Sequence, residues 1–299
     1  MCGIVGLFLK NPELTPRLGE LFSPMLVYMT SRGPDSAGVA IYGNPAPVGT
    51  IKLTLRHDRS DYDWAGLVAT LNRRFATAAH LLVNRTYAVI TIAAPEVALR
   101  QILNATDSKV RIMSVGRSIE IIKEMGTPPS IVERFGMSRM QGSHAIGHTR
   151  MATESAVTTD GSHPFSTGLD LCLVHNGSLS NHNRLRRLLQ RHGIEFLTDN
   201  DSEVAAGYLM WRMREGATLK QTLESALRDL DGFYTFAIGT MSGFAVLRDP
   251  IGCKPAVLAE TDDYVAMASE FQALAELPGI DRAAIWEPKP GVIYTWGDN

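Results

Sequence analysis

Residues 1–8, at the start of the chain, read MCGIVGLF. Cys2 directly precedes an apolar run that predicts a β-strand over residues 2–9. Because Cys2 is small, aminopeptidases commonly remove a methionine that stands before it, and Cys2 then has a free α-amine beside its thiol. One residue then supplies both a nucleophile and a base. On its own, the stretch favours the alternative of a buried cysteine that packs like a small hydrophobic residue.

The composition of the 299 residues is that of an ordinary globular protein, with 45% hydrophobic and 20% charged residues. The formal net charge of −2 gives no electrostatic reason to expect nucleic acid or an anionic membrane as a partner. No apolar run approaches the ~18 residues of a membrane span, and no secretory signal is recognisable. The three cysteines, Cys2, Cys172 and Cys253, are too few for a disulfide framework and lack metal-ligand spacing. We therefore expect a cytoplasmic protein without a bound metal.

Strand-like runs at both ends of the chain, with helical patterns between them, predict an α+β fold of two stacked sheets covered by helix layers. The pattern is not the regular βαβα alternation of a doubly wound sheet. Residues 50–115 have a β-α-β-α-β pattern of their own. They predict a small α+β module inserted in the larger domain of residues 2–299, with a docking or regulatory role. Residues 116–142 predict a helix, a break at Pro128-Pro129, and then a short helix or loop.

Three further polar clusters stand at predicted strand or helix ends, where catalytic groups can be held rigidly. Arg150 follows a strand and can bind a carboxylate through two charge-assisted hydrogen bonds; a structural ion pair with an aspartate is the alternative. Asn176 and Gly177 offer a side-chain amide and an unobstructed backbone N–H, the two donors of an oxyanion hole; a tight type I′ turn is the alternative. Asp201 begins a helix and can either cap it or accept a ligand ammonium group.

Together these residues describe a pocket for a small zwitterion. Arg150 would hold the α-carboxylate of an amino acid, and Asp201 would hold its α-ammonium group. Cys2 would attack a side-chain carbonyl, and Asn176 and Gly177 would stabilise the resulting oxyanion. The substrate that fits is glutamine. The α-amine of Cys2, with a reference pKa of about 8, would take the thiol proton and pass it to the departing ammonia.

These features resemble the class II glutamine amidotransferases, which have an N-terminal cysteine and belong to the N-terminal nucleophile (Ntn) hydrolases. The resemblance covers residues 2–43 and 140–296 and depends on the order and joint presence of several motifs. These are Cys2-Gly3-Ile4-Val5-Gly6, Arg32-Gly33-Pro34-Asp35, Gly147-His148-Thr149-Arg150 with Ala152-Thr153, His163-Pro164, His175-Asn176-Gly177, Asp201-Ser202-Glu203, and Arg248-Asp249-Pro250-Ile251-Gly252 with Lys254-Pro255.

The resemblance implies a four-layer α-β-β-α sandwich. It also implies that Arg32 orders the surroundings of the nucleophile, that Thr153 and His163 line the site, and that the two zwitterion-binding residues grip glutamine. Met151 stands where many members have an aromatic residue that helps to close a loop over glutamine. Methionine can still provide apolar cover there.

Many relatives continue after residues 290–294 into a synthase domain that consumes the ammonia, whereas this sequence ends at Asn299. The arrangement is similar to the separate glutaminase subunits of glutamate-synthase-like enzymes such as N-methylglutamate synthase. We therefore expect a glutaminase subunit that forms a thioester at Cys2 and delivers ammonia to a synthase subunit on another chain. The sequence contains no recognisable cofactor motif, so we expect no cofactor in this subunit.

Two other functions are compatible with the sequence. One is a stand-alone hydrolase of γ-glutamyl amides from the same superfamily, which would release ammonia at a rate that no partner changes. The other is a non-catalytic scaffold subunit that has kept the fold. The intact set of Cys2, Arg150, Asn176, Gly177 and Asp201 argues against the scaffold.

Overall fold

The computed structural model describes residues 2–151 and 157–297. The α-helices in these ranges are α1 (Leu18–Tyr28), α2 (Trp64–Phe75), α3 (Glu96–Thr106), α4 (Pro128–Phe135), α5 (His182–Arg191), α6 (Asp201–Arg214) and α7 (Leu219–Asp229). The β-strands are β1 (Gly3–Leu9), β2 (Ser36–Tyr42), β3 (Ile51–Arg56), β4 (His80–Asn84), β5 (Tyr87–Ile92), β6 (Arg111–Gly116), β7 (Ile119–Met125), β8 (His144–Arg150), β9 (Phe165–Gly168), β10 (Leu171–Leu179), β11 (Gly232–Gly239), β12 (Gly243–Arg248), β13 (Val257–Glu260), β14 (Tyr264–Ala268), β15 (Ala284–Trp286) and β16 (Ile293–Gly297). Within these ranges no helix is long and apolar enough to cross a membrane.

The strands form three sheets in which neighbouring strands are antiparallel. The first sheet has the order β15-β13-β14-β1-β8-β2-β7, the second β16-β12-β11-β10-β9, and the third β4-β5-β3-β6. The strand that follows Cys2, β1, lies inside the first sheet and is paired on both edges, with β14 and β8. The predicted nucleophile is therefore attached to one of the most constrained strands of the molecule.

The first two sheets pack face to face. Their shared hydrophobic core contains Ile4 and Ala145 from the first sheet with Val174 and Phe244 from the second. At Gly6 a Cβ atom would lie 2.7 Å from the ring of Phe244, so a larger residue at this position would force the sheets apart.

Helices cover the two outer faces. On the first sheet, α1 packs so closely that a Cβ at Gly147 would lie 2.8 Å from Phe22 and 3.0 Å from Leu26. On the second sheet, α5, α6 and α7 share a hydrophobic cluster with Leu173 and Phe236. The layers therefore follow the order α-β-β-α, and the predicted four-layer sandwich is confirmed.

The third sheet belongs to residues 51–116, called here the 51–116 module. Its helices α2 and α3 pack on one face of the sheet, and a separate hydrophobic cluster there includes Leu53, Leu71, Ile90 and Leu99. The other face lies against β7, through the Lys52–Glu120 ion pair, and against α4, through the contact of the Tyr87 and Phe135 rings. The division of the chain into a domain of residues 2–299 and an inserted unit of residues 50–115 stays a prediction.

The structure corrects the prediction for residues 116–142. This segment begins with a strand, β7, which pairs with β2 at the edge of the first sheet. Pro128 and Pro129 then open helix α4 instead of breaking one. Proline is well tolerated in the first turn of a helix, because the N–H groups there have no intrahelical partner.

Candidate active site

A cleft of about 880 Å³ lies beside the start of β1. Strands β8 and β10 and the first residues of α6 border it, so residues distant in sequence meet there. Six of the residues predicted from the sequence line this cleft: Cys2, Arg150, His163, Asn176, Gly177 and Asp201. Its volume is in the range of about 300–1,000 Å³ that is typical of small-molecule sites.

Cys2 is partly exposed and is fixed in position by its neighbours. Asn176 lies on the face of β10 that meets the first sheet, and its Nδ2 donates a hydrogen bond to the Cys2 carbonyl oxygen at 3.2 Å. Two residues further on, the Ile4 N–H donates to Ser269 Oγ at 2.9 Å, and the Ser269 N–H donates to the Ile4 carbonyl at 2.9 Å. The thiol-bearing residue is thus held at the cleft by both sheets.

Asn176 and Gly177 lie within strand β10, opposite Thr235 and Tyr234 of β11. The alternative of a tight turn at these two residues is therefore wrong. Gly177 has a φ of 149°, a conformation that residues with a side chain rarely adopt. A Cβ atom at Gly177 would also lie 2.0 Å from the Phe233 carbonyl oxygen. Both facts explain why glycine occupies this position.

The backbone of β10 directs amide groups toward the side of the strand that faces the cleft. The N–H of His175 donates to His163 Nδ1 at 3.3 Å, and the N–H of Leu179 donates to Asp201 Oδ2 at 2.8 Å. Gly177 lies midway between these two residues. Because alternate amides of an antiparallel strand point the same way, the Gly177 N–H belongs to the same edge.

Asp201 is the first residue of α6, but it does not cap the helix. Asn200 is the cap, and its Oδ1 accepts a hydrogen bond from the Ser202 N–H at 2.9 Å. Asp201 Oδ1 accepts a weak bond from Ser202 Oγ at 3.3 Å and lies 3.7 Å from His175 Nδ1. The Asp201 side chain is 22% exposed, so its carboxylate retains capacity to accept a ligand donor at the cleft.

Arg150 ends strand β8, and its Nη1 donates a hydrogen bond to the Gly161 carbonyl oxygen at 3.3 Å. Met151 follows it, lines the cleft and has an exposed fraction of 37%. Methionine therefore does stand at the mouth of the site. Thr153, which was predicted to line the site, lies outside the described residues.

Arg32 is absent from the residues that border the cleft in the described part of the chain. It forms an ion pair with Glu270. Glu270 directly follows Ser269, the residue that holds Ile4 in place. This placement is compatible with the predicted role of Arg32 in ordering the surroundings of Cys2, a role that stays a prediction.

Three buried histidines form one side of the cleft. The rings of His148 and His163 have centroids 3.9 Å apart, and His148 Nε2 lies 3.2 Å from the His175 carbonyl oxygen. Burial lowers the pKa of His148 to about 3 and is the main cause that lowers the pKa of His163 well below its ordinary value. Burial also lowers the pKa of His175, against an opposing effect of the Asp201 carboxylate. These imidazoles are neutral at pH 7 and are weak bases.

His148 and Lys254 are among the residues that border the cleft, and the sequence motifs contain both of them, but no role in the site was predicted for either from the sequence. His148 precedes Arg150 by two residues in the same strand, so the alternation of side chains places both on one face. This two-residue spacing is sufficient to predict that His148 borders the cleft together with Arg150. Lys254 follows strand β12 in an irregular segment, where no periodic pattern indicates the direction of a side chain.

The neutral histidines make stability depend on pH. Below pH ~6.5 the unfolded chain binds protons on these imidazoles. In the folded protein burial lowers all three pKa values, that of His148 to about 3, so the imidazoles stay neutral to lower pH. We therefore expect the free energy of unfolding to decrease as the pH falls below 6.5, by up to about 1.4 kcal/mol per pH unit for each histidine that is still neutral in the folded protein. Urea unfolding at pH 7.5, 6.0 and 5.0 measures this slope. The exposed His80 gives the control, since His80→Gln should leave the slope unchanged. A free energy that is constant between pH 6.5 and 5 would contradict the expectation.

Comparisons with known proteins agree with this geometry. A family model described as a glutamine amidotransferase domain matches residues 148–276. The chain is 58% identical over 297 residues to the glutamine amidotransferase-like protein GlxB of Rhizobium meliloti (strain 1021), and the match covers 99% of this chain and 98% of that protein. It is 30% identical to a putative glutamine amidotransferase of Methanothermobacter thermautotrophicus, over 99% of both chains.

A solved structure shares the fold. The glutamine phosphoribosylpyrophosphate amidotransferase from B. subtilis, complexed with ADP and GMP, superposes with a TM-score of 0.63 at 21% identity. The match covers 99% of this chain and 47% of that one, so the chain spans about half the length of the solved enzyme. The matched family model and the relatives that align along their whole length lead to one conclusion, with which the sandwich fold agrees: the chain belongs to the glutamine amidotransferase family.

Proposed function

We propose that the chain is a glutaminase that hydrolyses the side-chain amide of glutamine through a thioester at Cys2. The observation that carries this proposal is the convergence of four kinds of group on one cleft. They are the thiol of Cys2, the amide of Asn176, the guanidinium of Arg150 and the carboxylate of Asp201. Membership of the glutamine amidotransferase family supports the same substrate.

In this proposal Arg150 binds the α-carboxylate of glutamine and Asp201 binds its α-ammonium group. The two residues approach the cleft from different layers, one from the end of β8 and the other from the start of α6. Opposite charges at separate positions favour a zwitterion in one orientation, because a reversed amino acid would place like charges together. The glutamine side chain then extends toward Cys2.

The reaction begins when the α-amine of Cys2 takes the thiol proton. The thiolate attacks the amide carbon, a C–S bond forms, and the Asn176 amide and the Gly177 N–H stabilise the oxyanion. The C–N bond then breaks, and the departing ammonia takes the proton from the α-ammonium group of Cys2. Water then gives a proton to the α-amine as its oxygen attacks the thioester carbon. The C–S bond breaks, glutamate leaves, and the α-ammonium group returns the proton to the Cys2 thiolate. The neutral histidines, whose pKa values are lowered, are poor candidates for the base, which supports the α-amine in this role.

This mechanism requires removal of Met1. With Met1 attached, the nitrogen of Cys2 is an amide and cannot accept a proton. We expect the form that retains Met1 to hydrolyse glutamine at least about 10²-fold more slowly, the usual contribution of a positioned base. Intact-mass spectrometry identifies the two forms, and ammonia release measures their rates. Equal turnover of both forms would refute the role given to the α-amine.

We further propose that the ammonia passes to a separate synthase subunit, in a complex like glutamate synthase or N-methylglutamate synthase. The match to the Rhizobium meliloti relative supports this, since it covers 98% of that protein and leaves almost no part of it outside the region shared with this chain. Purification from the native host under mild conditions should recover a synthase subunit, identified by mass spectrometry, together with glutamine-dependent product formation. Recovery of an active monomer with no synthase subunit would favour the stand-alone hydrolase instead.

A further inference from the structure

The segment of residues 157–164 forms one wall of the cleft. Gly161 and His163 border the cleft. The Gly161 carbonyl oxygen accepts hydrogen bonds from Arg150 Nη1 at 3.3 Å and from Asn200 Nδ2 at 3.2 Å. Asn200 in turn caps the helix that begins with Asp201. The position of this segment is therefore linked to both groups that bind glutamine in the proposed function.

Lys123, in strand β7, holds the segment from the side away from the cleft. Its Nζ donates to the carbonyl oxygens of Asp160 at 3.1 Å, Ser162 at 2.7 Å and Pro164 at 3.3 Å. The ammonium group also lies 4.5 Å from the centroid of the Phe165 ring. Bonds from one buried ammonium group to three alternate carbonyls fix the path of the main chain.

The next residue, Glu124, connects the segment to the 51–116 module. Its Oε2 accepts a hydrogen bond from Thr159 Oγ1 at 3.1 Å, and its Oε1 accepts one from Arg56 Nε at 2.7 Å. The Arg56 and Glu124 side chains are only 12% and 7% exposed. A second contact from the module, between Arg111 Nε and Asp160 Oδ2 at 3.7 Å, reaches the neighbouring residue.

We propose that the 51–116 module is a positioning element of the glutamine site and that Arg56 is the positioning residue through which it acts. Arg56 fixes the Glu124 carboxylate, Glu124 holds Thr159, and the segment 157–164 thereby places Gly161 against Arg150. The inference rests on the proposed function, because it concerns the affinity for glutamine. It assigns the module a role in glutamine binding. It also predicts that a substitution or a bound partner at the module surface changes the affinity for glutamine through Arg56, Glu124 and the segment 157–164.

A simpler explanation is that Arg56 only attaches the module to the first sheet. The structure supplies a matched control for this explanation. Lys52 and Glu120, four residues earlier on the same two strands, form an equivalent ion pair at 2.9 Å. The described hydrogen bonds and ion pairs of Glu120 include no residue of the segment 157–164. Loss of the Lys52 pair should therefore weaken the attachment of the module without moving the segment.

The experiment compares Arg56→Met with Lys52→Met in full-length protein that also carries Cys2→Ala, so that L-glutamine binds without turnover. Isothermal titration calorimetry measures the Kd. We expect Arg56→Met to raise the Kd for L-glutamine by about five- to tenfold and Lys52→Met by less than about twofold. Thr159→Val, which removes only the hydroxyl that contacts Glu124, should raise the Kd in the same direction. If Arg56→Met does not fold, Thr159→Val tests the inference in its place.

Three results would overturn the inference: a Kd within twofold of the parent for both Arg56→Met and Thr159→Val, an equal rise for Lys52→Met, or equal amide hydrogen exchange in residues 157–164 for the Arg56 and Lys52 variants. We expect exchange in that segment to be faster in Arg56→Met. If the Cys2→Ala parent does not bind L-glutamine, the proposed function fails. The exchange measurement still decides whether Arg56 holds the segment, since it requires no ligand.

Discussion

Replacement of Cys2 by alanine is expected to lower kcat/KM for glutamine hydrolysis by at least about 10⁴-fold, since the proposed thioester cannot form without its sulfur. The other two cysteines cannot take over this role. Cys172 is buried in the core between the sheets, where burial raises its pKa to about 12. Cys253 is exposed and is not among the residues that border the cleft.

The control for this prediction is Cys253→Ala, which should keep wild-type kinetics. Ammonia release gives the rate. Labelling with an electrophilic analogue of glutamine, followed by peptide mass spectrometry, should modify Cys2 and leave Cys253 unmodified. Full activity of a complex assembled with the Cys2→Ala subunit would contradict the mechanism and would revive the alternative of a scaffold subunit.

Replacement of Asn176 by alanine should lower kcat by about 10²–10³-fold, the usual effect of losing one oxyanion-hole donor. The amide has two N–H donors, and one of them holds the Cys2 carbonyl oxygen at 3.2 Å. The variant therefore loses both the proposed oxyanion donor and the hydrogen bond that anchors Cys2. Because neither interaction involves the α-groups of glutamine, KM should change by less than about threefold.

Asn181→Ala is the matched control for this variant. The Asn181 Nδ2 also donates to a backbone carbonyl, that of Asp229, at 2.8 Å, but Asn181 does not border the cleft. Its loss should reduce the melting temperature and leave kcat unchanged. A large rise in KM with little change in kcat for Asn176→Ala would place Asn176 among the substrate-binding groups and contradict its assignment to the oxyanion hole.

The sequence was sufficient to predict the sandwich and six of the residues that border the cleft. It also predicted Arg32, which does not border the cleft, and Thr153, which lies outside the described residues. Cys2, Arg150, Asn176 and Asp201 stand at or near the ends of periodic segments, and their chemistry is complementary to one small substrate. The direction of each side chain was harder to predict. Asn176 and Gly177 have the composition of a tight turn, but strand β11 pairs with both of them and keeps β10 extended.

Strand β7 was mistaken for a helix because of its charged residues. Glu120, Lys123 and Glu124 resemble the solvated face of a helix in the sequence. In the structure Lys52 and Arg56 of the module neutralise the two glutamates, and loop carbonyls surround Lys123. These partners are distant in sequence, so a local pattern contains no sign of them. The contacts that were hardest to predict are those from which we infer a role for the module.

The position of β1 inside the first sheet has a consequence for the maturation of the protein. Both neighbours of β1 come from later parts of the chain: Gly3 pairs with Thr149, and Val5 pairs with Ala268. At roughly 5–20 residues per second, a ribosome needs about 7–30 s to extend the chain from Gly3 to its first partner, Thr149. During this time the nascent N-terminus has no sheet to join and stays accessible to the processing aminopeptidase. Slow, non-local strand pairing thus leaves time during translation for the removal of Met1 that the proposed mechanism requires, before β1 is enclosed by its neighbours.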